Sequence, residues 1–110
     1  MKLSVLEKEL NLKLLTKSDY EDREVKGCYV GDLLSWVMGR AQSGNVWITI
    51  MSNINIVAVA ELTDCACILL SEDVVPDENV IEKANSHDII IMSSPMSGYE
   101  LCTKIGKLND

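Results

Sequence analysis

The chain has 110 residues, 47% of them hydrophobic and 25% charged, with a formal charge of −7. That length fits one domain and excludes an enzyme with separate cofactor and substrate domains, while the composition excludes a disordered chain. The acidity disfavours nucleic acid and anionic membrane surfaces as partners, and its plainest role is solubility.

In chain order, Ser4 and Glu7 have capping-box spacing, and Leu3, Leu6 and Leu10 recur at helical spacing. This predicts a short first helix, which Asn11 can end in the left-handed conformation. Leu12, Leu14 and Leu15 predict a strand, residues 17–24 a charged loop, and residues 25–30 a second strand ended by Gly31. Asp32 is a good N-cap for a helix over 33–41, with Leu33, Leu34, Val37, Met38 and Ala41 as its apolar stripe. Residues 42–45 form a turn, and 46–50 a strong strand. Residues 53–62 read two ways, as a β-branched strand or as a buried helix capped by Asn53. Residues 65–70 read as a strand and 71–75 as an acidic loop. Pro76 suits a first helical turn, and Val80, Ile81 and Ala84 carry that helix to about Asn85. Residues 89–92 are an apolar strand. Ser97 and Glu100 repeat the capping-box spacing and open a last helix with Leu101, Ile105 and Leu108 in line.

Short apolar strands alternating with helices predict βαβ units and a mostly parallel sheet covered on both faces. The charge is uneven along this pattern. Residues 1–30 balance six bases against six acids, so residues 31–110 carry the whole excess. Between Asp64 and Asp88, seven acids stand against one base, Lys83. The N-terminal residues carry charges where a secretion signal needs an apolar run, and no window approaches the ~20 apolar residues of a membrane span. The expected location is the cytosol. Cys28, Cys65, Cys67 and Cys102 are then expected as reduced thiols. Period two places Cys65 and Cys67 on one buried strand face, and the lone His87 cannot complete a metal site with them.

The segment 22–35, Asp-Arg-Glu-Val-Lys-Gly-Cys-Tyr-Val-Gly-Asp-Leu-Leu-Ser, resembles the opening motif of DRTGG domains. Residues 44–50 (Gly-Asn-Val-Trp-Ile-Thr-Ile) with 55–60 (Asn-Ile-Val-Ala-Val-Ala) resemble the centre of that family, and 94–101 (Ser-Pro-Met-Ser-Gly-Tyr-Glu-Leu) its end. Cys28 stands where a second Gly is common, and Gly31 where relatives often have Ser. The resemblance spans nearly the whole chain, read as a single domain over 1–110. It implies a three-layer α/β/α sandwich like the N-terminal domains of HPr kinase/phosphorylase and of a Mur ligase, with 53–62 as a helix. It also implies a regulatory or oligomerising role rather than a catalytic one.

The residues fit that expectation. No G-x-x-x-x-G-K-[ST] loop is present to hold phosphates and magnesium. His87 lies in a polar turn with only Ser86 beside it, so no catalytic residue, metal ligand or cofactor is expected. The function expected is a non-catalytic regulatory or interaction domain, acting as a homo-oligomer or as an adaptor to a cytosolic enzyme. The alternative is a sensor of a nucleotide or another anion. Its candidate ligand residues are Asp22 and Arg23, a carboxylate orienting a guanidinium, and the strand-end residues Thr49, Ser52, Asn53, Ser93 and Ser94. The competing reading is a loop ion pair for the first two and helix capping for the rest. Tyr29, Trp36 and Met38 are candidate interface residues, because large aromatics dominate association energetics. For Trp36 the alternative is the edge of the monomer's own core.

Overall fold

A strand that is apolar at every position needs cover on both faces. The segments Val46–Thr49 and Cys67–Leu70 are buried at every position, and the fold supplies that cover. The structure, a computed structural model, describes residues 1–109. Its elements are α1 (Leu3–Glu9), β1 (Lys13–Leu14), β2 (Cys28–Val30), α2 (Leu34–Arg40), β3 (Val46–Thr49), α3 (Asn55–Thr63), β4 (Cys67–Leu70), α4 (Glu78–Ser86), β5 (Ile91–Ser93) and α5 (Gly98–Leu108). The strands form one sheet in the order β1-β5-β4-β3-β2, parallel except for β1, which runs antiparallel at the edge beside β5.

From β2 to β5 each strand lies next to the one before it, and every step goes the same way across the sheet. Right-handed crossovers in one direction put their helices on one face. Accordingly Val37 of α2, Ile56 and Ala60 of α3, and Val80 and Ala84 of α4 share one buried cluster with Trp47, Ile68 and Ile91. Leu3 and Leu6 of α1 join Leu101 and Ile105 of α5 on the other face, against Ile48, Leu69 and Met92. The result is the α/β/α sandwich expected from the alternating pattern. Trp47 is fully buried, and its indole N–H donates to the Gly31 carbonyl at 2.9 Å.

Several local expectations are corrected. Ser4 does not cap α1. Lys2 holds the N-cap position without a side-chain bond, and Ser4 lies inside the helix. Asp32 is not a helix cap either, since Leu33 stands at the N-cap of α2. Its carboxylate instead accepts from the Thr49 hydroxyl (2.8 Å) and the Ile50 N–H (3.1 Å). Pro76 lies before the first turn of α4, whose N-cap is Asp77. The strands over 25–30, 65–70 and 89–92 are shorter or shifted. Gly27 has φ of 77°, which breaks extended structure ahead of Cys28. Asp64 ends α3 in the left-handed conformation, and Cys65 still donates its N–H to Ala60 as part of the helix terminus. Alternation therefore starts only at Cys67, and the two thiols face opposite layers, Cys65 with α3 and Cys67 with α1. The ambiguous 53–62 segment is helical. The Ser97–Glu100 capping box forms with both bonds at 3.2 Å.

Candidate functional site

The connection from β1 to β2 must cross the whole sheet, because those strands are its two edges. Residues 15–27 do this as a strap under the amino ends of the parallel strands. Thr16 accepts from the Ile91 N–H, Lys17 donates its N–H to the Asn85 side chain, and Lys26 donates its N–H to the Gly44 carbonyl. Between the strap and the carboxyl ends of α3 and α4 lies a cleft of about 460 Å³, within the range of small-molecule sites.

Ion pairs line it. Arg23 forks onto Asp64, Nη1 to Oδ1 at 2.8 Å and Nη2 to Oδ2 at 3.2 Å, and the Ser43 hydroxyl donates to the same carboxylate. These bonds hold the Asp64 carboxyl down at about 2 and raise Arg23 further above its ordinary value. Lys17 Nζ meets Asp88 at 2.8 Å, and His87 Nδ1 lies 3.3 Å from Glu61. Tyr20 donates its hydroxyl to Glu7 at 2.6 Å, and burial is the largest cause that raises its pKa, ahead of this bond. Both permanent cations of the cleft are thus already paired with carboxylates. A phosphate entering there would have to displace them. Cys65 also lines the cleft, but burial pushes its thiol up to about 11, which leaves little nucleophilic thiolate. Among the described residues, no group of three or more His, Cys, Asp and Glu is placed to hold a metal ion, and no helix is long and apolar enough to cross a membrane.

The candidate ligand residues separate into two groups at opposite ends of the sheet. Arg23 enters the cleft, but Asp22 does not orient it. The Asp22 carboxylate accepts from the Ser4 N–H (2.9 Å) and hydroxyl (2.5 Å) and so closes the first turn of α1. Thr49, Ser52, Asn53, Ser93 and Ser94 lie at the carboxyl ends of β3 and β5. Thr49, Ser93 and Ser94 are buried, while Ser52 is half-buried and Asn53 exposed. Thr49 is bonded to Asp32 and accepts from the Met51 N–H, Ser94 Oγ accepts from the Met96 N–H, and Asn53 Oδ1 accepts from the Asn55 N–H. Three of these five side chains therefore serve local backbone groups. The cleft residues Lys17, Glu61, Asp64 and Asp88 were not among the candidates. Their partners are far apart in sequence, so no local pattern marks them.

The interface candidates also divide. Trp36 is 53% exposed and Met38 48% exposed, but two positions on a helix lie about 200° apart, so they point to different sides of α2. Tyr29 is half-buried against the α2–α3 layer. Trp36 instead shares its side of α2 with Leu33 and Arg40, and the Arg40 guanidinium lies 3.7 Å from the centre of its ring.

No protein-family model and no curated protein matches the chain. Among solved structures it is similar to the CBS and DRTGG domains of the regulatory region of Clostridium perfringens pyrophosphatase, complexed with activator, diadenosine tetraphosphate. The TM-score is 0.73 over 92% of this chain, at 14% sequence identity. The chain spans 44% of the length of that chain. The class is therefore an α/β fold with a mostly parallel sheet. More narrowly, the fold is DRTGG-like, as the resemblance of residues 22–35, 44–50, 55–60 and 94–101 implies.

Proposed function

We propose that residues 1–110 act as one non-catalytic regulatory domain that works by association in the cytosol, either with a second copy or with an enzyme it controls. The observation that carries this is the exposed side of α2, where Trp36 stands out under Arg40 with Leu33 beside it. Trp and Arg are the residue types that most often anchor interfaces. The DRTGG-like fold supports the reading, and so do the cleft's ion pairs, which engage Lys17 and Arg23, and the burial that keeps the Cys65 thiol protonated. Light scattering tests it: a mass above the monomer's that Trp36→Glu returns to the monomer's supports the reading. A monomer at every concentration, binding no partner protein, removes it.

A second reading has its own observation. The cleft under the strap is of ligand size and holds Arg23, and the structurally similar pyrophosphatase region is complexed with diadenosine tetraphosphate. In this reading a nucleotide or other anion displaces Asp64 from Arg23. A thermal-shift screen of nucleotides and acyl phosphates separates the two. Saturation at 100-fold over Kd adds about 2.7 kcal/mol, a shift of several degrees. No shift with any anion leaves association alone. Neither reading includes turnover: the protein is expected to release no phosphate from ATP above background, with or without magnesium.

A further inference from the structure

The four loops that follow the parallel strands, residues 31–33, 50–54, 71–77 and 94–97, form one rim along the carboxyl edge of the sheet. Hydrogen bonds stitch them together. The Ile50 N–H reaches Asp32, the Ser71 N–H reaches the Thr49 carbonyl, and the N–H groups of Glu72 and Asp73 reach the carbonyls of Met96 and Ser94. Glu72 and Asp73 both hold positive φ, at 60° and 61°, and this sharp turn is followed by half-buried Val74, packed on the core, and then by exposed Val75. Leu33, Ile50, Ile54 and Val75 are all exposed on this rim, Val75 at 68%. The same loops carry four acids, Asp32, Glu72, Asp73 and Asp77, and no Lys or Arg.

We infer that this rim docks a basic amphipathic segment of a partner protein, its apolar stripe on Ile50, Ile54 and Val75 and its Lys or Arg residues against the four acids. The charge selects the occupant. A phosphate-bearing ligand or an anionic membrane meets four like charges, and so does the same rim of a second copy. Loops that carry exposed apolar residues and only acidic charges complement a helix with an apolar stripe flanked by bases. Four strands at about 4.8 Å spacing make a rim roughly 15 Å long, about ten residues of helix. The inference rests on the association reading and gives it a second surface, which meets the outer side of α2 at Leu33.

The test is an NMR titration of the isotope-labelled chain with two synthetic helical peptides. They share one leucine stripe, flanked in one peptide by Lys and in the other by Glu. The expected result is that the Lys peptide alone shifts the resonances of residues 50–54 and 71–77. Added salt weakens that binding. Val75→Ser lowers the affinity about fivefold, and Leu62→Ser, on the equally exposed C-terminal turn of α3, leaves it unchanged. Four results of the titration overturn the inference: no shifts, shifts centred elsewhere, equal effects of both peptides, or equal effects of both substitutions. Concentration-dependent broadening of the rim without peptide also overturns it, because a second copy then occupies the site. Light scattering of Trp36→Glu on the same preparation separates the outcomes. If the mass responds but the peptide does not bind, the rim fails and association through α2 stands.

Discussion

Asp64 ties three segments together: it ends α3, and its carboxylate binds Arg23 from the strap and Ser43 from the α2–β3 turn. Because its pKa falls from 3.8 to about 2 on folding, the carboxylate stabilises the native state above the unfolded value, and that contribution is lost as pH falls through about 2. The side chain is 62% exposed, so solvent screening keeps the effect small. Asp64→Asn is expected to be less stable than the parent at neutral pH, with the gap closing between pH 3.8 and about 2; a gap of constant size across acid denaturation series contradicts this. The thiols give a second residue-level expectation. Burial pushes Cys65 up to about 11 and Cys67 well above its ordinary value, so neither is alkylated in the native state at neutral pH. Labelling of either faster than global unfolding contradicts their placement. Arg23 was legible in the sequence as a loop cation, but its partner was not, because Asp64 lies 41 residues away and adjacent Asp22 was the obvious choice. Neighbours in sequence therefore bond different segments, Asp22 the first turn of α1 and Arg23 the end of α3.

At the scale of elements, the two outer helices of the α1–α5 layer are started in different ways. α5 carries its own capping box, whereas α1 takes its cap from Asp22 across the chain. Ser97→Ala and Asp22→Ala are each expected to cost about 1 kcal/mol in denaturant unfolding, and neither should alter the unfolding slope. A neutral Asp22→Ala would mean that Ser4 caps α1 after all. The Ser97 box was readable because both partners lie within four residues. The Ser4–Glu7 pair has the same spacing, yet the helix starts two residues earlier, because the Leu3 N–H donates to the Arg23 carbonyl and Leu3 is needed in the core. Tertiary contacts override a local signal there. Residues 53–62 show the converse: β-branched content allowed a strand, but Ile56, Val57 and Ala60 are buried at helical spacing against the sheet.

At the scale of the molecule, the sheet steps in one direction from β2 to β5, so no adjacent pair of parallel strands sends its connections to opposite faces. Open α/β sheets bind ligands at such a reversal. Without one, the carboxyl edge is a closed, acidic rim and the ligand-sized cleft lies at the amino edge, under the strap. The layered architecture was readable from the alternation of apolar strands and helices. The location of the cleft was not, since it depends on where the strap crosses. Among the apolar side chains left exposed, Trp36 is the one large aromatic stacked with an Arg, with Leu33 on the same side of α2, and association through that surface is the central claim. Sedimentation velocity across the micromolar range measures it most directly. The expected result is a mass that rises from the monomer's 12.2 kDa toward about twice that value, with Trp36→Glu weakening the association about thirtyfold or more, a hot-spot loss of about 2 kcal/mol. A mass fixed at 12.2 kDa for both proteins, together with a nucleotide-dependent thermal shift abolished by Arg23→Ala, would contradict it and give the cleft the function instead.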